Sequence, residues 1–405
     1  MKNFCLGILE ETKIPPDKRV PITPVQVDII EELFPNVKVV VQRSEKRCFK
    51  DSEYNYLQVP LSSDVSECDV LMGVKEVQID KLIANKTYMF FSHVGKKQPY
   101  NRNLLRAILE KNIRLIDYEY LTRANGSRIV AFGYWAGIIG AYNALRARGD
   151  STNNFSLKPA HQCYDMEEMY AGLRKIALKP IKILLTGGGR VAKGALDTLN
   201  ALKIRNVTYK EFLSEEFDEP VVCQIEPMHY VKRKDGSPFD IQHFYAHPTE
   251  YESTFKAYQY VTDIYLACHF WDPNSPKFIT KDDFRDPKFK ISVVADISCD
   301  INGPIASTIR ASNIEEPFYD YNPETGNVEP AFSKETNITV MAVDNLPGEL
   351  PRNASRDFGR DLIKHVFPAL FGTDDDGIIE RATIAKEGKL MPKFAYLQDY
   401  VDFKS

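Results

Sequence analysis

Three residues in the first hundred are of types, and in places, that suit proton transfer. Lys75 closes the apolar run VLMGVK, His93 closes YMFFSH, and Arg19 lies in the proline-punctuated loop TKIPPDKRVPITP. If each run is a strand of a parallel sheet, Lys75 and His93 project from its carboxyl edge into one crevice. Burial there would lower the lysine's pKa, and imidazole titrates near neutrality unaided, so the two could shuttle protons. Equally, both could simply mark where strands reach water. Glu76 and Glu119 neighbour the strand ends. Alone, each is a solvated or capping carboxylate; beside Lys75, either would hold the amine protonated and tune its pKa.

A second constellation lies mid-chain. The aliphatic run at 181–185 is closed by Thr186-Gly187-Gly188-Gly189, and Val191-Ala192-Lys193-Gly194-Ala195 opens a helix at once. Gly187, Gly189 and Ala192 match the G-x-G-x-x-A variant of the dinucleotide turn. There, glycines let the backbone come close to a pyrophosphate, and the helix's unpaired amides point at the anion. The acidic residue that would meet the ribose is expected about 20 residues further on. VTYKEF, read as the next strand, supplies Glu211, whose alternative is a surface glutamate. A carboxylate there favours NAD over NADP. Lys193 could accommodate NADP's extra phosphate, although a solvated helix face is the plainer reading, so NADP stays open.

The elements that would position these groups follow from hydrophobic period. FCLGILE, VKVVVQ, DVLMGVKE, TYMFFSH and IRLIDYE read as strands, with helices at TPVQVDIIEELF and RNLLRAILEKN between them. That rhythm implies a largely parallel sheet with both faces covered. Residues 133–148 read as an apolar helix rich in small residues, in which Gly133, Gly137 and Gly140 suit close packing. DMEEMYAGLRKIAL follows as a helix, and DIYLACHFW, KISVVADIS and ITVMAVDNLP as strands. An amphipathic helix starts near Asn353. Residues 207–263 are the least legible, with a Lys-Asp-Gly turn at 234–236 that would join a hairpin.

Composition bounds the class. A 405-residue chain needs at least two cores. Its 52 basic and 56 acidic residues are interspersed, without the basic stripe that nucleic acid or an anionic membrane would require. No apolar run approaches the roughly 20 residues of a membrane span, and the first residues lack a signal-peptide apolar region. The seven scattered cysteines show no metal-ligand spacing, so they read as reduced cytoplasmic thiols and no metal is expected.

Several segments together resemble a known superfamily. ETK followed by KRVPITP is similar to the opening of alanine dehydrogenases, the transhydrogenase α subunit and lysine-forming saccharopine dehydrogenase. GVKE and the F-S-H run resemble that superfamily's catalytic lysine and histidine segments. IDYEYL, RIVAFGYWAGIIGA, VVADISCDINGPI and VDNLPGELPRNAS resemble the fungal-type saccharopine branch. The likeness spans nearly the whole chain apart from about residues 210–262.

The resemblance implies an α/β fold of two Rossmann-like domains with parallel sheets and an interdomain cleft. Residues 1–133 and 350–405 would form the substrate domain. Residues 134–349 would form the NAD domain, with an insertion around 212–262 that offers an arm for a homo-oligomer. It assigns Arg19 to a substrate carboxylate, Lys75 and His93 to acid–base work, and Glu76 and Glu119 to tuning. Arg128 and Phe132 would meet substrate and nicotinamide. Gly189 and Arg190 would contact the pyrophosphate, Glu211 the ribose and Phe270 the adenosine half. Ile297, Ser298 and Asp300 would face the ligands, and Val343, Asp344, Asn345 and Leu346 the nicotinamide end. The implied chemistry is NAD-dependent oxidation of a secondary amine, then hydrolysis to an amino acid and a 2-oxo acid. The rivals are an alanine dehydrogenase or other opine-forming enzyme and, more remotely, a non-catalytic nucleotide sensor.

Overall fold

The computed structural model describes residues 3–403. In chain order, the first stretch carries β1 (Phe4–Ile8), α1 (Pro24–Leu33), β2 (Val37–Gln42), α2 (Asp51–Tyr56), β3 (Leu61–Ser62), β4 (Val70–Met72), β5 (Thr87–Phe90), α3 (Arg102–Glu110) and β6 (Arg114–Asp117). The middle carries α4 (Gly133–Thr152), α5 (Met166–Leu173), β7 (Lys182–Thr186), α6 (Arg190–Ala201), β8 (Arg205–Asn206), α7 (Tyr209–Ser214) and β9 (Val221–Ile225). It continues through α8 (Pro227–Tyr230), β10 (Val231–Arg233), α9 (Ile241–Ala246), β11 (Tyr251–Ser253), α10 (Lys256–Gln259), β12 (Ile264–Ala267), β13 (Val293–Asp296), β14 (Phe318–Tyr321), β15 (Val328–Glu329) and β16 (Ile338–Met341). The last stretch carries α11 (Pro351–His365), α12 (Phe367–Phe371), α13 (Ile378–Ala382), β17 (Thr383–Lys386), β18 (Lys389–Leu390) and α14 (Gln398–Val401).

The chain divides into two units. One is Met1–Phe132 with Pro351–Ser405, and the other is Gly133–Leu350. Each boundary falls at the first residue of a helix, α4 or α11. Each unit has its own apolar core on an eight-stranded sheet.

In the first unit the strand order is β18-β17-β6-β5-β4-β1-β2-β3. From β1 the chain runs outward through β2 and β3, then returns to place β4 on the other side of β1. That reversal is a topological switch point, where the loops leaving the carboxyl ends of β1 and β4 diverge and leave a crevice. In the second unit the order is β15-β14-β16-β13-β12-β7-β9-β8, and the reversal falls at β7, between β9 and β12. The switch points therefore lie at the lysine-bearing strand end in one unit and at the glycine turn in the other.

Neither sheet is wholly parallel. β17 and β18 run antiparallel at one edge, and β14 and β15 at the other sheet's edge. β17 to β18 and β14 to β15 are joined by connections of a few residues, which only antiparallel neighbours can use. VTYKEF is not a strand. Thr208 caps α7, with Glu211 at the third helical position returning its carboxylate to the Thr208 amide at 2.7 Å. The illegible stretch after β9 holds α8 to α10 and the antiparallel pair β10–β11. Gly236 does turn there, at φ +76, but its flanking strands meet across residues 234–250, which include α9.

Helices α4 and α6 pack backbone to backbone. A Cβ on Gly137 would lie 1.9 Å from the Val191 carbonyl oxygen, and one on Gly194 2.0 Å from that of Tyr134. The small residues of the 133–148 helix thus fix α6, and with it the glycine turn that α6 caps. Among the described residues no helix is long and apolar enough to cross a membrane.

Candidate functional site

Lys75 lies three residues past β4, and His93 three past β5. Both loops are pinned by buried carboxyls. Glu11, three residues past β1, accepts from the Val74 and Lys75 amides at 2.5 and 2.9 Å. Asp117, the last residue of β6, accepts from the Ser92 amide at 3.0 Å, from the Ser92 hydroxyl, and from the Glu119 amide at 2.7 Å. Four strand ends are thereby tied in two pairs through side chains, β1 with β4 and β6 with β5, and His93 is held in a left-handed turn at φ 54.

Glu76 is the electrostatic hub. Its carboxylate meets His93 Nδ1 at 3.1 Å and the Lys13 ammonium at 3.1 Å. Burial alone would raise its pKa, but the hydrogen bond from His93, its own backbone and the cations around it hold it down at about 2. An ionised carboxylate only accepts hydrogen bonds, so Nδ1 must carry the proton. In neutral His93 the lone pair then sits on Nε2, the arrangement a general base needs.

Lys75 is pushed below the ordinary lysine range, first by burial and then by the Arg19 cation; Lys13 adds to this, while Asp17 and Glu76 oppose it. Glu11 goes the other way. Burial and the neighbouring Asp17 raise its pKa to about 8, so it is neutral at physiological pH. The crevice thus holds an amine whose pKa burial lowers and, at the neighbouring strand end, an imidazole with an assigned tautomer, two groups of the types that accept and return protons.

Two of the expected residues already have partners. Arg19 is only 2% exposed. Its Nε and Nη2 reach Asp17 at 2.9 and 2.6 Å, and its guanidinium stacks 4.2 Å above the Phe132 ring. Arg19 thus answers a neighbouring carboxylate and lowers the pKa of Lys75. Glu119 is likewise already paired. It pairs with Arg128 at 2.5 Å, and Lys96 lies 4.0 Å away. Phe132 stacks on Phe358 at 4.5 Å between ring centres and packs against Phe91, which adjoins Ser92 and His93.

In the second unit, Gly187 adopts φ +105, open to glycine at little cost, and a Cβ there would meet the Cys268 carbonyl at 2.7 Å. A Cβ on Gly189 would meet nothing within 4 Å, so the turn faces open space over the first amides of α6. On Gly188 a Cβ would lie 2.5 Å from Glu226 Oε1. Glu226 follows β9 directly, and β9 is the neighbour of β7. This is the carboxylate beside the glycine turn. Glu211 is engaged in capping α7 instead. The sequence reading missed Glu226 because the chain makes the short edge strand β8 and helix α7 before entering β9. The spacing from the turn is therefore nearly twice that of a simple dinucleotide unit, and only the apolar run VVCQI marked it.

The other expected cofactor residues are spread over the carboxyl ends of β12, β13 and β16. Phe270 is 89% exposed, and Arg190 is exposed at the start of α6. Ser298 donates to Asp296 at 2.6 Å, and the buried Asp296 also holds the Cys299 amide and the Thr308 hydroxyl. Ile297, Val343 and Leu346 have buried side chains, so a ligand would meet their main chain; Asp344 is exposed and Asn345 half-buried. Lys193 lies exposed over the Tyr134 ring. All seven cysteines are free thiols.

Residues 7–139 match the alanine dehydrogenase/PNT N-terminal domain family. A mouse protein, mitochondrial alpha-aminoadipic semialdehyde synthase, is 30% identical over 94% of this chain. Lysine-forming, NAD(+)-dependent saccharopine dehydrogenase of Schizosaccharomyces pombe is 26% identical over 91% of this chain and 93% of its own length. By these matches the chain is similar to the alanine dehydrogenase/PNT family over residues 7–139 and to saccharopine dehydrogenases along most of its length. It spans 46% of the mouse relative's length. Among solved structures, an L-alanine dehydrogenase shares the fold, with a TM-score of 0.64 at 14% identity over 99% of this chain and 100% of that one. A transhydrogenase from Sinorhizobium meliloti follows, with a TM-score of 0.58 at 16% identity over 96% and 100%.

Proposed function

We propose that this chain is an NAD(H)-dependent oxidoreductase acting on the C–N bond of an amino acid. The reaction is saccharopine plus NAD(+) and water to lysine, 2-oxoglutarate and NADH. The observation that carries this is the half-buried Lys75 of depressed pKa at the first unit's switch point, with His93, whose tautomer Glu76 assigns, at the neighbouring strand end.

Each residue then has a defined task. His93 Nε2 takes the proton of the substrate's secondary amine as hydride leaves its α-carbon. Lys75, at the neighbouring strand end and with its pKa lowered by burial, accepts a proton as water adds to the resulting imine and returns one to the departing amine. Glu76 keeps the imidazole oriented, Glu11 and Asp117 hold the loops, and Arg19 keeps Lys75 from being protonated too strongly. Arg19 and Arg128, each held by a carboxylate of its own, are the cations suited to a substrate carboxylate, with Phe132 as an apolar wall.

A nicotinamide dinucleotide, when bound, supplies the hydride acceptor. Gly187, Gly189, the first α6 amides and Arg190 suit its pyrophosphate, and Phe270 is an exposed ring for its adenine. Glu226 takes the ribose role. A carboxylate in contact with the glycine turn repels a 2′-phosphate, which favours NAD. Ser298, Asp300, Asp344 and Asn345, with the main chain at Ile297, Val343 and Leu346, line the carboxyl ends where the nicotinamide would lie. The substrates are small molecules, and the free thiols suit a reducing compartment such as the cytoplasm.

The test is NADH oxidation by the purified protein, comparing lysine plus 2-oxoglutarate with ammonia plus pyruvate. Turnover with the first pair alone is expected. Turnover with the second alone would make the chain an alanine dehydrogenase, and silence with both would overturn the assignment.

A further inference from the structure

Away from the crevice, the first unit has an open groove of about 890 Å³ between α1, α2 and α11. Its apolar lining is unusually bare. On α1, Val25, Ile29 and Leu33 stand every fourth residue and are 62%, 40% and 59% exposed; Tyr56 on α2 is 85% exposed. Single exposed apolar residues need no explanation, but a contiguous row beside a groove marks an interaction surface.

Charge says what fits it. One flank is α11, whose Arg352, Arg356, Arg360 and Lys364 also recur every fourth residue and line the groove. Beside the apolar row of α1 lie Asp28 and Glu32, three residues on from Val25 and Ile29 and exposed. Arg352 is answered by Glu53, and Arg360 by Asp357 and Asp361. Among the described residues, Asp28, Glu32, Arg356 and Lys364 make no ion pair. The surface thus presents two unanswered carboxylates and two unanswered cations on helices that touch one another. Residues four apart are about 6 Å apart along a helix, so the acidic and basic rows have matching pitch.

We propose that this face binds a second copy of the chain in a two-fold dimer. The two α1 helices cross with Val25, Ile29 and Leu33 in contact, and Asp28 and Glu32 of each copy meet the Arg356–Lys364 row of the other. A two-fold axis requires the same patch on both partners, and here one patch carries both halves of the complementary pattern. An acidic amphipathic helix of another protein would match only the basic row and leave Asp28 and Glu32 facing it unanswered.

Sedimentation velocity of the full chain at micromolar concentration tests this. The wild type should be a dimer that weakens with salt. Asp28→Lys with Glu32→Lys should weaken it at least tenfold, as should Arg356→Glu with Lys364→Glu, because each set places like charges opposite one another. These are surface changes, so circular dichroism should remain that of the wild type. The decisive species carries all four substitutions, in which the charges are exchanged and dimerisation should return. A monomeric wild type would overturn the proposal. So would a dimer indifferent to both reversals, or a fourfold variant that stays monomeric.

Discussion

Replacing Glu76 by glutamine tests the reasoning about the crevice most directly. In the folded protein the carboxyl titrates at about 2 against an ordinary 4.5, which corresponds to about 3 kcal/mol in favour of the ionised form. Because His93 and Lys13 are themselves partly exposed, solvent screening makes this an upper figure. The folded pKa is depressed, so the contribution is fully present above pH 4.5 and is lost as pH falls toward 2. Glu76→Gln should therefore melt lower than wild type at pH 6, and the gap should close in acid as wild type loses what the variant never had. The catalytic effect is separate. A glutamine amide can donate to Nδ1, which moves the ring proton to Nε2 and removes the basic lone pair. With general-base catalysis contributing about 10²–10⁴-fold, kcat should fall at least 100-fold while NADH affinity stays. Turnover with lysine, 2-oxoglutarate and NADH gives the first readout, and melting from pH 3 to 7 gives the second. A variant within threefold of wild-type kcat would show that the tautomer is not set by Glu76.

Three further outcomes follow from the same geometry. Lys75→Met should remove most of kcat and leave NADH binding, read by nicotinamide fluorescence, nearly intact; normal turnover would exclude Lys75. Glu226→Ala should weaken NADH binding about tenfold or more and narrow the preference for NADH over NADPH, whereas Glu211→Ala should change neither, as titration of both variants would show. Glu349, buried and bonded to Asn143 at 2.8 Å, is raised by burial to about 8. Its neutral form is favoured, so this stabilisation is whole below pH 4.5 and lost as pH rises through 8. Glu349→Gln should match wild type at pH 4.5 and exceed it increasingly toward pH 8 in urea melts.

Much of the architecture could be read from local pattern. Apolar runs of period two or four to six residues located β1, β2, β4 to β7, β12, β13 and β16, and Pro24 after Thr23 marked the start of α1. Lys75 and His93 were legible because each ends such a run, and a run's end is a property of neighbouring residues. The antiparallel strands β14, β17 and β18 were not, since FYDY, TIAK and KL mix polar with apolar residues and each strand is defined by its partner.

What the sequence determined by itself was thus the set of local elements, the glycine turn, and which ionisable groups sit at strand ends. Which of those groups meet was decided by the tertiary fold. Strand order placed β9 rather than β8 beside β7, and so made Glu226, not Glu211, the carboxylate against the turn. It set His93 against Glu76, which belongs to the loop after the neighbouring strand. It also brought Glu11 beneath the amides of residues 74 and 75. Electrostatic partnership depends on distances of a few ångströms across the sheet, and spacing along the chain carries no such information until the strands are ordered.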